Sequence, residues 1–274
     1  MSLDDPRARA CALSGVLLCA FVVVSLASLP PADGHTVAAD APATLGLEAL
    51  KAKDEVYLGN GCFWERQWAY YNLEVAPPFG RMAEAVTARV GYAGGKAPPA
   101  EAVCYHTGDA RDYARLGHAE VVRVTLAKGA EKEQMGALAK DFFASFTGSS
   151  GARQRPDPMD RGAPYRSVVG LPGGVHSDLY AAFAKENVHG MALKPGTGGD
   201  ADEFNTVWIV DSRAFPFFMG EVYHQMHCNF FASEGMPYPD SYVLGLWKEM
   251  QQTGAIKATG CPESAWNHRS CAYG

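Results

Sequence analysis

Val56-Tyr57-Leu58-Gly59-Asn60-Gly61-Cys62-Phe63-Trp64 joins a short apolar run to a helix-like segment, Glu65 to Leu73. A cysteine at such a strand-to-helix junction has backbone N–H groups and the positive end of the helix dipole aimed at its sulfur, an arrangement that favours thiolate over thiol. Cys62 is therefore a candidate nucleophile. Phe63 and Trp64 beside it would wall an apolar slot, suited to a substrate whose small apolar group adjoins a polar, electrophilic atom. Taken alone, the tetrapeptide also fits a buried structural cysteine in an aromatic core.

Outward from this junction, strands alternate with helices. Val86 to Tyr92 alternates as a strand and ends at Gly94-Gly95, and His118 to Leu126 alternates again with Val122, Val124 and Leu126 on one face. Lys132 to Phe146 is amphipathic, with Met135, Leu138, Phe142 and Phe146 inward. Arg166 to Leu171 is a further strand closed by Pro172-Gly173-Gly174, Ser177 caps a helix through Glu186, and Asn205 to Val210 is a final apolar strand. Within Phe63–Leu73, Trp64, Trp68 and Tyr71 share a face. This order predicts an α+β fold, a two-layer α/β sandwich with helices against one mixed, largely antiparallel sheet.

The 274 residues, 47% hydrophobic and 20% charged, suffice for a full core, and the formal charge of −6 argues against nucleic-acid binding. At the N-terminus, Arg7 and Arg9 precede an uncharged stretch from Ala10 to Ala32 whose middle, Gly15 to Leu29, is strongly apolar. It reads as a secretory signal or an uncleaved signal anchor, since a spanning helix needs about 20 apolar residues. Pro30-Pro31 and Thr36 to Thr44 follow as a linker. The expected organisation is a leader and linker over 1–45, a catalytic domain over 46–250 and a cysteine-containing tail over 251–274. Membrane contact is expected only through the leader, which directs the chain to the secretory pathway, anchors it, or forms the first part of a two-part plastid-targeting peptide.

Without the leader five cysteines remain: Cys62, Cys104, Cys228, Cys261 and Cys271. An odd, sparse set in a chain routed to an oxidising compartment points to a reactive thiol or an intermolecular bridge rather than a disulfide framework.

Three further clusters carry chemistry. Gly117-His118-Ala119-Glu120 sets a carboxylate at the start of an apolar strand, where partial burial would raise its pKa and let Glu120 deliver a proton; otherwise it is a solvated strand-end glutamate. Asp160-Arg161-Gly162 and Tyr165-Arg166-Ser167 offer a carboxylate to orient a neighbour and a phenol to donate to an anionic oxygen, although Asp160 also suits a plain turn. Glu221-Val222-Tyr223-His224-Gln225 packs donors and acceptors into five residues.

Together with Gly91-Tyr92-Ala93-Gly94-Gly95 and Val103-Cys104, these motifs, in this order from about Val56 to Phe231, resemble peptide methionine sulfoxide reductases of the A type. The resemblance implies a ferredoxin-like core and a thiol reaction. Cys62 would attack the sulfur of a methionine S-sulfoxide, free or in proteins, with Glu120 as the acid. Phe63 and Trp64 would hold the S-methyl group, Tyr165 would bind the oxygen, and Asp160 would support the site. A sulfenic acid on Cys62 would be resolved by Cys261 or Cys271 in the tail, with Cys228 a third option, and an external dithiol such as thioredoxin would reopen the disulfide; no bound cofactor or metal is expected. A structural Cys261–Cys271 bridge is the competing role for the tail.

The sequence departs from the family pattern at three points. An aromatic hydroxyl is expected where Ala100 stands, an extended stretch from Tyr105 to Leu116 separates Cys104 from Gly117, and Glu65 replaces a small residue. Tyr105 or Tyr113 would substitute for the missing hydroxyl. Two other classes compete with the enzyme: a sulfoxide- or protein-binding relative without turnover, and a secreted protein holding zinc through His224, His227 and Cys228.

Overall fold

The computed structural model describes residues 55–96, 102–147, 155, 159–227, 238–253 and 260–262. The leader, Ala100, Cys228 and Cys271 lie outside them, and the expectations placed on those positions have no structural counterpart here. Among the described residues no helix is long and apolar enough to cross a membrane.

Among the described residues seven strands form one mixed sheet: β1 (Glu55–Gly59), β2 (Arg89–Ala93), β3 (Ala119–Thr125), β4 (Val168–Leu171), β5 (Ala192–Pro195), β6 (Thr206–Asp211) and β7 (Phe218–Met219), in the order β5-β6-β4-β1-β3-β2-β7. The β1–β3, β1–β4, β2–β3 and β2–β7 pairs are antiparallel, while β4–β6 and β5–β6 are parallel. The expected mixed, largely antiparallel α+β sheet is what the chain builds. β1 sits at the centre, with Leu58 opposite Val122 on β3 and Val169 on β4. Its central place suits its composition: Val56 and Leu58 are apolar and buried, and the buried Tyr57 satisfies its hydroxyl internally by donating to the Phe215 carbonyl at 2.7 Å.

The α-helices among the described residues are α1 (Phe63–Val75), α2 (Glu131–Ala144), α3 (Tyr180–Lys185) and α4 (Asp240–Thr253). As expected, Met135, Leu138 and Phe142 of α2 and Phe146 just after it join the main core with Val122 and Val124 of β3 and Leu126 just beyond it. Phe142 and Phe143 meet Phe183 of α3 at ring separations of 5.6 and 4.9 Å, so aromatic packing fastens the two helices together. Truncating one such ring to alanine costs about 3–5 kcal/mol.

Trp68 stacks on Tyr71 at 5.7 Å along one face of α1, as expected, and Trp64 and Trp68 pack partly buried against the core. Two local expectations change. Ser177 does not cap α3 directly; it accepts the Leu179 amide at 3.3 Å, and the helix itself begins only at Tyr180. Thr206–Asp211 is not the last strand, because the two-residue β7 follows it on the edge beyond β2. Gln225 fixes this edge in the manner of a strand residue: its side chain accepts the Val90 amide at 3.1 Å and donates to the Val90 carbonyl at 2.9 Å. Glu221–Gln225 is thereby held beside β2 and within reach of α1.

Candidate active site

Cys62 is the N-cap of α1 and the one free thiol among the described residues, with 9% of its surface accessible. The sulfur is thus narrowly open rather than sealed. The turn that delivers it needs Gly61, whose φ of +105° is unsuited to an L side chain and whose missing Cβ would sit 2.9 Å from Asp160 Oδ2. That oxygen instead accepts the Cys62 backbone N–H at 2.7 Å, and the Gly61 N–H donates to the Tyr165 carbonyl at 3.1 Å. Asp160 and Tyr165, far along the chain, are therefore stitched to the cysteine turn. Buried Arg166 extends the clamp by donating to the Gly94 and Ala163 carbonyls at 2.7 and 2.8 Å.

Glu120 comes from β3, the antiparallel neighbour of β1. The strands approach closely because Gly59 has no side chain, and a Cβ there would lie 2.2 Å from the Glu120 carbonyl oxygen. The Glu120 carboxyl is buried; Oε2 accepts the Phe63 N–H at 3.1 Å, and the Tyr113 hydroxyl lies 3.4 Å from Oε1. Burial, the dominant influence, pushes its pKa up to about 8, opposed by the Phe63 hydrogen bond. At neutral pH this carboxyl keeps its proton. It is a buried acid, not a solvated strand-end glutamate.

The expected thiolate is not the resting state. The amides of Trp64 and Glu65 do bond the sulfur and lower its pKa, but burial raises it well above the ordinary thiol range, and the Glu120 and Asp160 carboxylates add to the rise. Helix-end fields are worth at most about 2 kcal/mol, whereas full burial shifts a group by up to about 3–5 pKa units. Desolvation wins here, and Cys62 rests as a thiol.

Five rings close a wall around this pair. Phe63 meets Tyr92 at 6.0 Å, Tyr92 stacks on Tyr113 at 4.7 Å, Tyr113 on Tyr105 at 5.5 Å, Tyr105 meets the edge of His224 at 4.5 Å, and His224 returns to Phe63 at 4.9 Å. Tyr105 and Tyr113 both reach in, but to different partners. Tyr113 is fully buried and faces Glu120, whereas Tyr105 is half-buried and hydrogen-bonds the Tyr165 side chain. Burial raises the Tyr165 pKa to about 12, so both phenols remain donors.

The sequence offered Glu221 and His224 as members of a polar cluster, and His224 also as a zinc ligand; the structure gives each a specific partner set. Trp64 Nε1 donates to His224 Nδ1 at 3.1 Å while His227 stacks on the same indole at 3.7 Å. Burial lowers the His224 pKa to about 3, which keeps the ring neutral and Nδ1 an acceptor. With Nδ1 so engaged, the zinc role considered for His224 and His227 has lost one ligand atom. Glu221 is buried and accepts both the Tyr92 hydroxyl at 2.6 Å and the Tyr105 amide at 2.7 Å.

Cys261 is bonded to Cys104, which replaces the Cys261–Cys271 bridge considered from sequence and withholds Cys261 as a free resolving thiol while the bond is closed. Spacing gave no hint of it, since the partners are 157 residues apart. The described group at metal-ligand separations is Cys104, Glu221 and Cys261, with its two sulfurs spent on each other.

A family model described as peptide methionine sulfoxide reductase matches residues 54–238. Among solved structures, methionine sulfoxide reductase A of Corynebacterium diphtheriae is similar at 19% identity over 64% of this chain and 73% of its own, with a TM-score of 0.41. Mxr1 of Saccharomyces cerevisiae in reduced form is similar at 22% identity over 66% and 88%, with a TM-score of 0.37. No curated protein matches significantly.

Proposed function

The chain belongs to the peptide methionine sulfoxide reductase family, an assignment that makes it an oxidoreductase acting on methionine sulfoxide, and we propose that Cys62 and Glu120 carry the reaction on the S epimer. The supporting observation is the Phe63 N–H bond to Glu120 Oε2, which holds a protonated carboxyl beside the residue that follows a free thiol.

The Cys62 sulfur attacks the sulfoxide sulfur as Glu120 passes its proton to the sulfoxide oxygen and the thiol proton returns to the carboxylate; the protonated oxygen then passes from the substrate sulfur to the Cys62 sulfur as the transient S–S bond breaks. Two electrons move from the cysteine to the substrate, giving methionine and a sulfenic acid on Cys62. Phe63 and Trp64 hold the S-methyl end. Tyr105 and Tyr165 donate to the oxygen, Tyr105 supplying the hydroxyl that Ala100 lacks, so polar stabilisation is concentrated where the S–O bond breaks. Tyr113 assists Glu120, and Asp160 fixes the Cys62 backbone.

A second thiol then condenses with the sulfenic acid, releasing water and leaving a disulfide that an external dithiol such as thioredoxin reduces. Cys271 serves as that thiol, or Cys261 after its bond to Cys104 has been opened. No bound cofactor is required. The leader carries the protein into the secretory pathway, to a membrane, or to a plastid.

The test is consumption of chirally resolved methionine sulfoxide, free and in a peptide, by purified protein with a dithiol reductant. Loss of the S epimer alone, abolished by Cys62→Ser, is the expected result. Persistence of both epimers with the unaltered protein, or undiminished turnover in Cys62→Ser, would end the proposal. Mass spectrometry after one turnover without reductant identifies the cysteine joined to Cys62, and thioredoxin supplied in place of a small dithiol tests the reductant.

A further inference from the structure

The extension from Tyr105 to Leu116 is an ordered loop with a defined base. Cys104 donates its N–H to the Arg111 carbonyl at 2.8 Å and accepts the Tyr113 N–H at 2.9 Å, closing the loop. Asp112 fills its interior, accepting the Gly108 amide at 2.9 Å and those of Ala114 and Arg115 at 3.0 and 3.2 Å. The loop therefore carries Tyr105 and Tyr113 as one body, with Cys104 as its root.

Two attachments join this root to the rest of the molecule. Glu221 accepts the Tyr105 amide at 2.7 Å, and Cys104 is bonded to Cys261 of the tail. Arg111 on the loop also donates to the Gly260 carbonyl at 3.0 Å, so loop and tail meet at two successive tail residues. The carboxylate of Glu221 and the two sulfurs lie within 4.8 Å of one another. The backbone of Tyr105 is thus gripped directly at a point where chemistry distant in sequence can release the grip.

We propose that the Cys104–Cys261 bridge is a positioning device for Tyr105: closed, it holds the Tyr105 phenol against Tyr165 for the sulfoxide oxygen; opened by a dithiol, it frees the tail and loosens that phenol. The idea rests on the reductase function proposed above and adds a thiol-controlled substrate affinity to it. The opening step balances: the dithiol gives two electrons and two protons, leaving cysteine thiols at positions 104 and 261 and its own disulfide. Two thiols take more room than one bridge, and here they face the buried Glu221 carboxylate. Cys104, fully buried, stays in place. The tail residue moves, taking with it the contact at Gly260 and the brace on the loop. Tyr113 is less affected, because its ring is buried against Tyr92 and its hydroxyl faces Glu120.

The test uses the full chain and counts only the first methionine released, so that any resolving role of Cys261 stays outside the measurement. Rates of that first phase are taken against methionine S-sulfoxide concentration for the bridge-closed protein, Cys261→Ser, Tyr105→Phe and the double variant. Cys261→Ser is expected to raise the half-saturating concentration about tenfold while the maximal rate stays within about twofold. Tyr105→Phe should weaken binding by a similar factor alone and add little in the double variant, because the two act through one contact. A purely structural bridge would lower the melting temperature and multiply with Tyr105→Phe. An unchanged half-saturating concentration in Cys261→Ser, or multiplying factors in the double variant, overturns the proposal. Bridge-closed protein that releases no methionine at all defeats the reductase function instead. Should Cys261→Ser fail to fold, the same comparison is made on the unaltered protein after reduction of the bridge and removal of the reductant.

Discussion

Glu120 Oε2 accepts the Phe63 backbone N–H at 3.1 Å, which ties a buried carboxyl on β3 to the first turn of the helix that Cys62 caps. Acid and thiol are registered to each other by main-chain geometry.

Glu120→Gln removes the proton donor while preserving an acceptor for the Phe63 amide. The maximal rate at pH 7 is expected to fall about 10²–10⁴-fold with little change in half-saturating sulfoxide. In the unaltered protein the rate should decline as pH rises through about 8, where Glu120 gives up its proton. Stability follows the same sign: between the ordinary carboxylate pKa and about 8 the unfolded chain loses this proton and the folded chain keeps it, so rising pH disfavours folding over that window. Chemical denaturation at pH 6 and pH 9 should therefore show Glu120→Gln gaining stability relative to the parent at the higher pH.

Asp160 presses the Cys62 pKa upward through its charge, after burial and Glu120. Asp160→Asn keeps an oxygen for the Cys62 amide but removes that charge. Alkylation of Cys62 at pH 8, followed by peptide mass mapping, should run several-fold faster in this variant. A slower or equal rate would contradict the electrostatic account.

His224 holds Trp64 through the indole N–H. His224→Leu should raise half-saturating sulfoxide several-fold, with the maximal rate falling less. Asn at the same position can present an oxygen near the place of Nδ1 and should recover most of the loss, a rescue that a space-filling role would not produce.

Gly61→Ala forces a side chain onto a backbone at φ +105° and against Asp160 Oδ2. A loss of about 1–3 kcal/mol is expected on denaturant titration, together with reduced turnover, because the strained turn is the one that presents the sulfur.

The elements around the site were legible because their residues face one core. Val56 and Leu58, the alternation through Val122 and Val124, and the stripe of Met135, Leu138 and Phe142 are all buried in one cluster, while Tyr57 packs with Val121 and Val168 in a second one. β5 was missed because its side chains are half-buried or exposed and leave no alternating pattern. β7 is two residues long and exists through its pairing with Gly91 and Tyr92. In the site, the motif residues could be named from sequence, but not the sharing of work between Tyr105 and Tyr113, which depends on how the loop after Cys104 folds. The thiolate expectation failed for a reason local sequence does not carry: helix ends can be read from spacing, whereas the depth at which a sulfur is buried is settled by the whole sheet. The partner of Cys261 was hidden likewise, since a bond across 157 residues has no local signature.

Cys62 leaves the end of the central strand and Glu120 stands near the start of the adjacent one, so their spacing is inherited from the gap between two paired backbones. That gap hardly changes when distant segments are lengthened or rewritten. The chain can therefore grow an insertion or remodel its terminus, changing how firmly and under which conditions a guest is grasped, while the distance over which the bond is broken stays as it was.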